Sequence, residues 1–247
     1  MTDLKTFQAS EEAKSKASQF RLFAILLWLI AIAGEVFAIM KLIHNETMIW
    51  LIVAIVVILI LAVVGNLLWK KANRLDPPSE KDKVKFFLQS QLGVIMSALA
   101  FMPLVILIFM NKNIDGKTKG IAGSIAVVAL LVAGITGTDF NPASVEKYTK
   151  QINEQTDSLM QITNGVDHVY WTKAGNKYHI YKDCQHIKNS DEIFDGTVKD
   201  AWESRHIDNG ELCKTCKARA LREKENPAAL LGSKKENNEL DSTATSE

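Results

Sequence analysis

All three cysteines and three of the five histidines lie in the stretch from Tyr170 to Cys216. Cys213 and Cys216 form a C-x-x-C pair, a spacing that lets one tight turn direct two thiolates at one metal ion. His179 and Cys184 lie five positions apart and supply the other half of a set of four. Structural zinc sites take four tetrahedral ligands, mostly Cys and His. The pattern therefore predicts a structural Zn²⁺ ion held by His179, Cys184, Cys213 and Cys216.

The same cysteines allow two other interpretations. One is that they are plain buried thiols, and the other is that Cys213 and Cys216 form a redox dithiol. A thioredoxin-like pair follows a strand of a βαβ unit, often with Trp in front, whereas Leu212 precedes this pair. An odd number of cysteines excludes a complete intramolecular disulfide framework. A catalytic zinc site keeps an open position, which four protein ligands would close. His186 and His206 belong to no motif and are predicted to be surface residues.

Short strands and helices must position these ligands. Residues 169–172 and 177–181 flank a Lys-Ala-Gly-Asn turn, which predicts a hairpin. Residues 194–207 predict a helix, and Asn209-Gly210 turns the chain into the C-x-x-C pair. A further helix is expected over 217–224. We therefore predict a small α+β domain over residues 165–225, stapled by zinc because a core of this size is weak on its own.

The first part of the chain contains four apolar runs. A membrane span needs about 20 apolar residues, and soluble core helices are rarely apolar on all sides over such lengths. The sequence therefore predicts an α-helical membrane domain over residues 22–137, with the lipid bilayer as its partner. Its four transmembrane helices are expected at 22–43, 48–69, 86–110 and 120–137.

Polar segments surround these two domains. Residues 1–21 are a polar lead, predicted to be cytoplasmic. Residues 138–164 predict an amphipathic linker helix, with Asn141-Pro142 at its start and Asn164-Gly165 at its end. Residues 226–247 contain no aromatic residue and many polar ones, which predicts a disordered tail.

The lysines and arginines of the short loops indicate an orientation. Twelve lie on the side of the N-terminus and four on the other side, if all four runs span the membrane. Because cytoplasmic loops carry the excess of Lys and Arg, both termini are predicted in the cytoplasm of a multi-pass protein of the cell membrane. If the fourth run did not span, the C-terminal domain would lie outside the cell.

A resemblance adds to this interpretation. The order Val169-Tyr170-Trp171-Thr172, Gly175, Tyr178-His179, Cys184 and Cys213-x-x-Cys216 resembles a small metal-binding module of some secreted or membrane-attached proteins of Gram-positive bacteria, including thermonuclease-like enzymes. It is distantly similar to the N-terminal zinc domain of the Ada alkylation-repair protein, whose four cysteines include a methyl acceptor. The whole chain resembles a Firmicutes-type multi-pass membrane family. The resemblance implies the same four ligands, without methyl transfer, and such modules often lie outside the cell.

Three functions remain open at this point. The first is a membrane protein that displays a structural zinc module for interaction or sensing without catalysis, with a protein partner or a homo-oligomer. The second is a small oligomeric transporter or channel using Glu35, an acidic residue deep within an apolar run. The third is a thiol redox or other enzyme using Cys213 and Cys216. A net charge of +1 gives no argument for a nucleic-acid partner.

Overall fold

Four long helices form the first part of the protein. The computed structural model describes residues 6–173, 175–205 and 211–225. Each of the four helices is long and apolar enough to cross a membrane, and a 3-10 turn at Asn45–Thr47 precedes the second. The prediction of four long apolar helices is thereby confirmed. The helices are α1 (Glu11–Lys41), α2 (Met48–Leu75), α3 (Lys83–Met110) and α4 (Gly116–Gly137).

These helices extend beyond their apolar runs. Helix α1 begins at Glu11, where the Ser10 hydroxyl accepts the N–H of Ala13 at 3.3 Å and caps the first turn. Helix α2 continues to Leu75, and α4 already begins at Gly116. The backbone hydrogen bonds of a helix continue into polar sequence until a cap or a breaker ends them, so hydropathy alone predicts the ends poorly.

A smaller set of helices and strands follows. Strands β1 and β3 pair antiparallel, and β2 and β4 pair parallel. This agrees with the prediction of a small region with few strands around the Cys/His residues. The elements are α5 (Val145–Ile162), β1 (Val169–Trp171), β2 (Lys177–Tyr178), β3 (Phe194–Gly196), α6 (Val198–Arg205), β4 (Glu211–Leu212) and α7 (Lys214–Glu225).

Two predicted helix starts are wrong. Helix α5 begins at Val145 rather than at Asn141-Pro142, and the helix predicted from Phe194 begins only at Val198. Phe194 instead starts a strand that pairs with Trp171. Thr197 and Asp200 then form a reciprocal cap, in which the N–H of Asp200 bonds the Thr197 hydroxyl at 3.2 Å and the Asp200 carboxylate accepts the N–H of Thr197 at 2.8 Å.

The predicted end of α5 is confirmed. Asn164 and Gly165 take positive φ values of 55° and 89°, and the N–H of Gly165 bonds the carbonyl of Met160 at 2.8 Å. Such a left-handed C-terminal turn satisfies the carbonyls of the last helical turn, and Gly and Asn tolerate it best.

The chain divides into two compact units. We call Ala9–Glu146 the bundle, and Met1–Gln8 together with Lys147–Glu247 the small unit. His206 and the tail 226–247, for which disorder is predicted, lie outside the described residues.

A buried amide links all four helices of the bundle. The Asn66 side chain on α2 accepts the indole N–H of Trp28 on α1 at 3.2 Å. Its amide nitrogen donates to the Ser97 hydroxyl on α3 and to the carbonyl of Ala133 on α4, both at 3.0 Å. Because every helix contributes a partner, this one side chain specifies how the four helices are arranged.

The one acidic residue predicted deep within a span is buried. Glu35 on α1 is 3% exposed, and its Oε1 accepts the backbone N–H of Leu104 on α3 at 3.1 Å. Pro103, the preceding residue, has no N–H and interrupts the helical bonding at this point. The carboxyl therefore lies where α3 departs from regular helix hydrogen bonding.

The small unit has an aromatic core built on one face of α5. Tyr148 contacts the ring of Trp202 on α6, with ring centres 5.5 Å apart. Gln155 Oε1 accepts the Tyr178 hydroxyl at 3.2 Å and the Trp202 indole N–H at 2.9 Å. Gln155 lies at a position of α5 where the heptad-like pattern calls for an apolar residue, and these two donors explain the polar side chain.

Candidate metal centre

A minimal hairpin positions His179. Tyr170 and His179 exchange two backbone hydrogen bonds, each with an N···O distance of 2.7 Å. The two residues belong to the two segments, 169–172 and 177–181, that were predicted to pair across the Lys-Ala-Gly-Asn turn. His179 follows β2 directly, and its side chain is 5% exposed, so the imidazole is held inside the small unit.

Strand β4 and helix α7 position the C-x-x-C pair. The N–H of Cys213 bonds the carbonyl of Tyr178 at 2.9 Å, which extends the β2–β4 pairing by one bond. The carbonyl of Cys213 accepts the N–H of Lys217 at 2.9 Å, so Cys213 is the first residue to close a turn of α7. Cys216 lies three positions later, and residues three apart share one face of a helix.

A tight turn supplies the fourth side chain. The N–H of Cys184 bonds the carbonyl of Tyr181 at 3.2 Å, and the carbonyl of Cys184 accepts the N–H groups of Ile187 and Lys188, both at 2.9 Å. Ile187 is buried beside the three sulfurs. The turn therefore brings Cys184 back toward the end of the hairpin that carries His179.

The four predicted residues come together in space. Their side-chain ligand atoms all lie within 4.8 Å of one another, and all four residues are buried. His179 Nδ1 lies 3.7 Å from Cys216 Sγ, so Nδ1 is the ring nitrogen that faces the sulfurs. Tetrahedral zinc with Zn–S bonds of about 2.3 Å separates its sulfurs by about 3.8 Å. Closing the cluster onto one ion thus needs side-chain movements of only about 1 Å.

The donor set has the chemistry of a closed site. Three thiols and one imidazole make up the group, and no carboxylate joins it among the residues that the structure describes. Cys184, Cys213 and Cys216 are free thiols. Soft sulfur ligands with one imidazole select zinc over calcium or magnesium, which take oxygen ligands. Four such ligands can hold a metal ion without leaving a coordination position for a substrate.

The thiol of Cys213 has an environment that favours its thiolate. Burial raises the pKa of Cys213, but the backbone N–H groups of Cys216 and Thr215 bond the sulfur and hold its pKa below the usual value. These N–H groups belong to the first turn of α7 and have no helical acceptor. A thiolate at a helix N-terminus is stabilised for this reason.

Cys216 and His179 are both kept neutral by burial. Burial raises the pKa of the Cys216 thiol to about 12, against backbone hydrogen bonds from Tyr181 and Ile180 that lower it. Burial also lowers the pKa of His179, with smaller contributions from the nearby His186 and Lys177. A neutral imidazole is the form that binds metal, whereas Cys216 must lose its proton on coordination.

A charged cluster that the sequence did not predict lies beside the centre. Arg219 on α7 pairs with Asp183 through one guanidinium nitrogen, which lies 3.0 and 2.9 Å from the two carboxylate oxygens. Its guanidinium lies 4.0 Å from the centre of the Tyr181 ring, and the Tyr181 hydroxyl donates to Glu223. These contacts hold α7 against the turn before Cys184. The i, i+4 spacing of Arg219 and Glu223 on a predicted helix could have indicated this cluster from the sequence.

The other histidines within the described part of the chain do not join the group. His186 is exposed, in agreement with the prediction of a surface residue, although its Nε2 lies 3.3 Å from the Thr215 hydroxyl. His168 lies 3.5 Å from the carboxylate of Asp195, at the surface of the β1–β3 pair. His186 is close to His179, with ring centres 6.3 Å apart, and is therefore the natural control for a substitution of His179.

No family model, no curated protein and no solved structure matches the chain. The fold and site describe a four-helix apolar bundle joined in one chain to a compact Cys₃His unit.

Proposed function

We propose that this chain is a multi-pass membrane protein whose small unit is a zinc-stapled module for interaction or sensing. The observation that carries the proposal is the buried Cys₃His group, whose ligand atoms lie within 4.8 Å of one another. A site of this kind, closed by four protein ligands, supports folding rather than catalysis. The module then presents its surface to a partner while the bundle holds it at the bilayer.

The exposed surface of the bundle supports insertion into a membrane. Large apolar side chains project outward along each helix where a soluble protein would place polar ones. Only about a third or less of the most apolar window of each helix is buried, so most of this apolar surface needs a lipid environment. Examples are Phe23 (56% exposed), Ile60 (57%), Met102 (49%) and Leu131 (58%).

Contacts of Phe7 and Gln8 support a location of both ends of the chain on the same side of the membrane. Phe7 belongs to the small unit and is 3% exposed, with its ring 5.1 Å from that of Tyr148. Its N–H bonds the Thr149 hydroxyl at 2.9 Å, and the N–H of Gln8 bonds Glu203 at 2.7 Å. A segment before the first span and a domain after the last can make these contacts only on one side. Four spans satisfy this condition, and the lysine and arginine distribution favours the cytoplasm.

The size of the small unit explains what a metal would contribute. A region of about 60 residues, such as 165–225, buries too little apolar surface to be very stable on its own, and a structural metal supplies folding free energy directly. The centre joins the hairpin, the Cys184 turn and helix α7, which are otherwise connected through short two-stranded pairings. Zinc therefore stabilises a part of the small unit that is held by short strand pairings.

One observation favours a second candidate, a redox dithiol. Cys213 combines a lowered pKa with a C-x-x-C partner, which is also the arrangement of a reactive thiol. Both sulfurs are buried, however, and Cys184 with His179 surround them. A disulfide between Cys213 and Cys216 would remove two of the four ligands.

Metal content of the purified full-length protein tests the proposal. We expect about one zinc per chain by elemental analysis, and loss of most of it in Cys213→Ser and in His179→Ala. His186→Ala is the matched control and should keep its zinc, because this nearby imidazole is exposed. A metal-free protein with a reversible Cys213–Cys216 disulfide would instead support redox chemistry.

A further inference from the structure

A groove opens on the bundle where α1 begins, α2 ends and α3 begins. It encloses about 530 Å³. Charged side chains at one end and apolar ones at the other make it a two-part surface. Its charged lining comes from Arg21, Asp82 and Lys85, and its apolar lining includes Trp69, Leu88 and Leu92.

The groove follows the axis of α3. Lys85 and Leu92 are seven residues apart on one helix, which corresponds to about 10 Å at a rise of 1.5 Å per residue. This length covers the step from a lipid headgroup to the first part of its acyl chains. Val84 and Leu88, which line the groove, are 70% and 49% exposed, so the groove is open on the outer face of the bundle. A ligand that fits must therefore be charged at one end and apolar at the other.

The cations at the charged end favour an anion. Two nitrogens of the Arg21 guanidinium bond Asp76, at 2.8 and 2.7 Å. Its third nitrogen, Nε, is buried without a hydrogen-bond partner. A buried donor without an acceptor costs free energy, and a phosphate oxygen reached by a small shift of the side chain would satisfy it. Lys85 has no ion pair in the described part of the chain.

The acidic groups near the groove are already engaged. Asp82 caps α3 by accepting the N–H of Lys85 at 3.1 Å, and Asp76 holds Arg21. The loop and the two helix ends around the groove are together basic, because residues 70–85 contain six Lys or Arg against three Asp or Glu. Such a loop attracts anionic lipid headgroups, by about 1 kcal/mol per cation near the surface.

We propose that this groove binds an anionic phospholipid. The phosphate lies against Lys85 and Arg21, and the acyl chains lie against Trp69, Leu88 and Leu92. The proposal rests on the membrane location proposed above, but it is independent of the zinc centre. Trp69 can contact an acyl chain without leaving a polar group unpaired, because its indole N–H already donates to the carbonyl of Gln89 at 2.7 Å.

Lipid retention by the purified full-length protein tests this site. Dioleoyl-phosphatidylglycerol and dioleoyl-phosphatidylcholine are added in equal amounts to the protein in detergent, and bound lipid is counted by native mass spectrometry. We expect about fivefold more bound phosphatidylglycerol, the ratio that one cation contributes. Lys85→Gln should reduce this ratio to near one. Lys83→Gln is the matched control and should keep it, because Lys83 does not line the groove.

A second variant and one competitor make the test decisive. Leu88→Glu places a carboxylate in the groove at an exposed position, and it should also abolish the preference for phosphatidylglycerol. Equal binding of both lipids, or a preference that survives both variants, would overturn the proposal. Displacement of the lipid by millimolar inorganic phosphate would show a phosphate site without lipid specificity and would also overturn it. Recovery of the protein outside the membrane fraction would instead contradict the membrane location itself.

Discussion

At the scale of the residue, the four predicted ligands have unequal chemistry. Cys213 lies at the start of α7, where backbone N–H groups lower the pKa of its thiol, whereas burial raises the pKa of Cys216 to about 12. His179 is neutral through burial. Cys216 therefore holds its proton more tightly than Cys213 does, and its deprotonation on metal binding is the costlier of the two.

This inequality predicts a pH dependence of metal binding. At pH 7 the metal-free unit carries a proton on Cys216, because the pKa of this thiol is about 12. Coordination releases that proton, so the apparent zinc affinity should fall at least about tenfold for each pH unit of acidification. Stability linked to zinc is thus present at higher pH and lost as the pH falls.

Competition with a chromophoric chelator at pH 6, 7 and 8 measures this slope. His179 contributes little to it above pH 7, since burial lowers its pKa and keeps the imidazole neutral there. An affinity that stays constant from pH 6 to 8 would show that Cys216 does not bind the metal as a thiolate.

At the scale of the element, α3 and α4 approach through two glycines. A Cβ added to Gly137 would lie 2.6 Å from the backbone carbon of Gly93, a distance that real Cβ atoms do not show. Close backbone approach through small residues is the main way in which apolar helices associate in lipid, where no hydrophobic effect drives them together. The polar contacts of Asn66 and Ser97 lie in the same region of the bundle.

Replacing Gly137 by alanine should therefore destabilise the bundle. The added methyl group meets backbone rather than a flexible side chain, so α4 must move, at a cost of about 1–3 kcal/mol. Gly134→Ala, one turn earlier on the same helix, is the matched control because nothing lies within 4 Å of its added Cβ. Unfolding in mixed detergent, followed by circular dichroism, measures both. Equal stability of the two variants would show that α3 and α4 do not meet at Gly93.

Sequence patterns predicted the elements more reliably than their contacts. The four apolar helices could be predicted because hydropathy is a local signal. The grouping of the four Cys and His residues could be predicted because their spacing is typical of metal ligands. The strand at Phe194 was missed because its partner, β1, lies far away in the chain. The cap formed by Thr197 and Asp200 was visible as a T-x-x-D pattern and would have corrected the helix start. The pairing of Glu35 with Leu104 depends on packing between helices and has no signal in sequence.

At the scale of the whole molecule, the order of the helices predicts which loops share a side. If the four helices span the membrane as proposed, fluorescent-protein fusions truncated after Asp76 and after Asp139 should report the same compartment, because two helices separate these positions. A fusion after Asn113, between α3 and α4, should report the opposite one. Since the positive loop lies at Lys70–Lys85, we expect fluorescence in the cytoplasm from the first two.

Each of the three fusions serves as a control for the other two. If the fusions after Asp139 and Asn113 report one compartment, α4 does not cross the membrane. The C-terminal unit would then lie outside, and the contacts of Phe7 with Tyr148 and Thr149 could not form in the cell.

The burial of Phe7 also sets an order of events during synthesis. Phe7 and Thr149 are 142 residues apart, so the ribosome needs roughly 7–28 s between them at 5–20 residues per second. During this interval all four apolar helices are made, while the aromatic side chain at the beginning of the chain has no partner. The contact can close only after the last of these helices has been released. A chain interrupted before residue 147 therefore leaves Phe7 without Tyr148 and Thr149, so that an exposed phenylalanine distinguishes an incomplete molecule from a finished one.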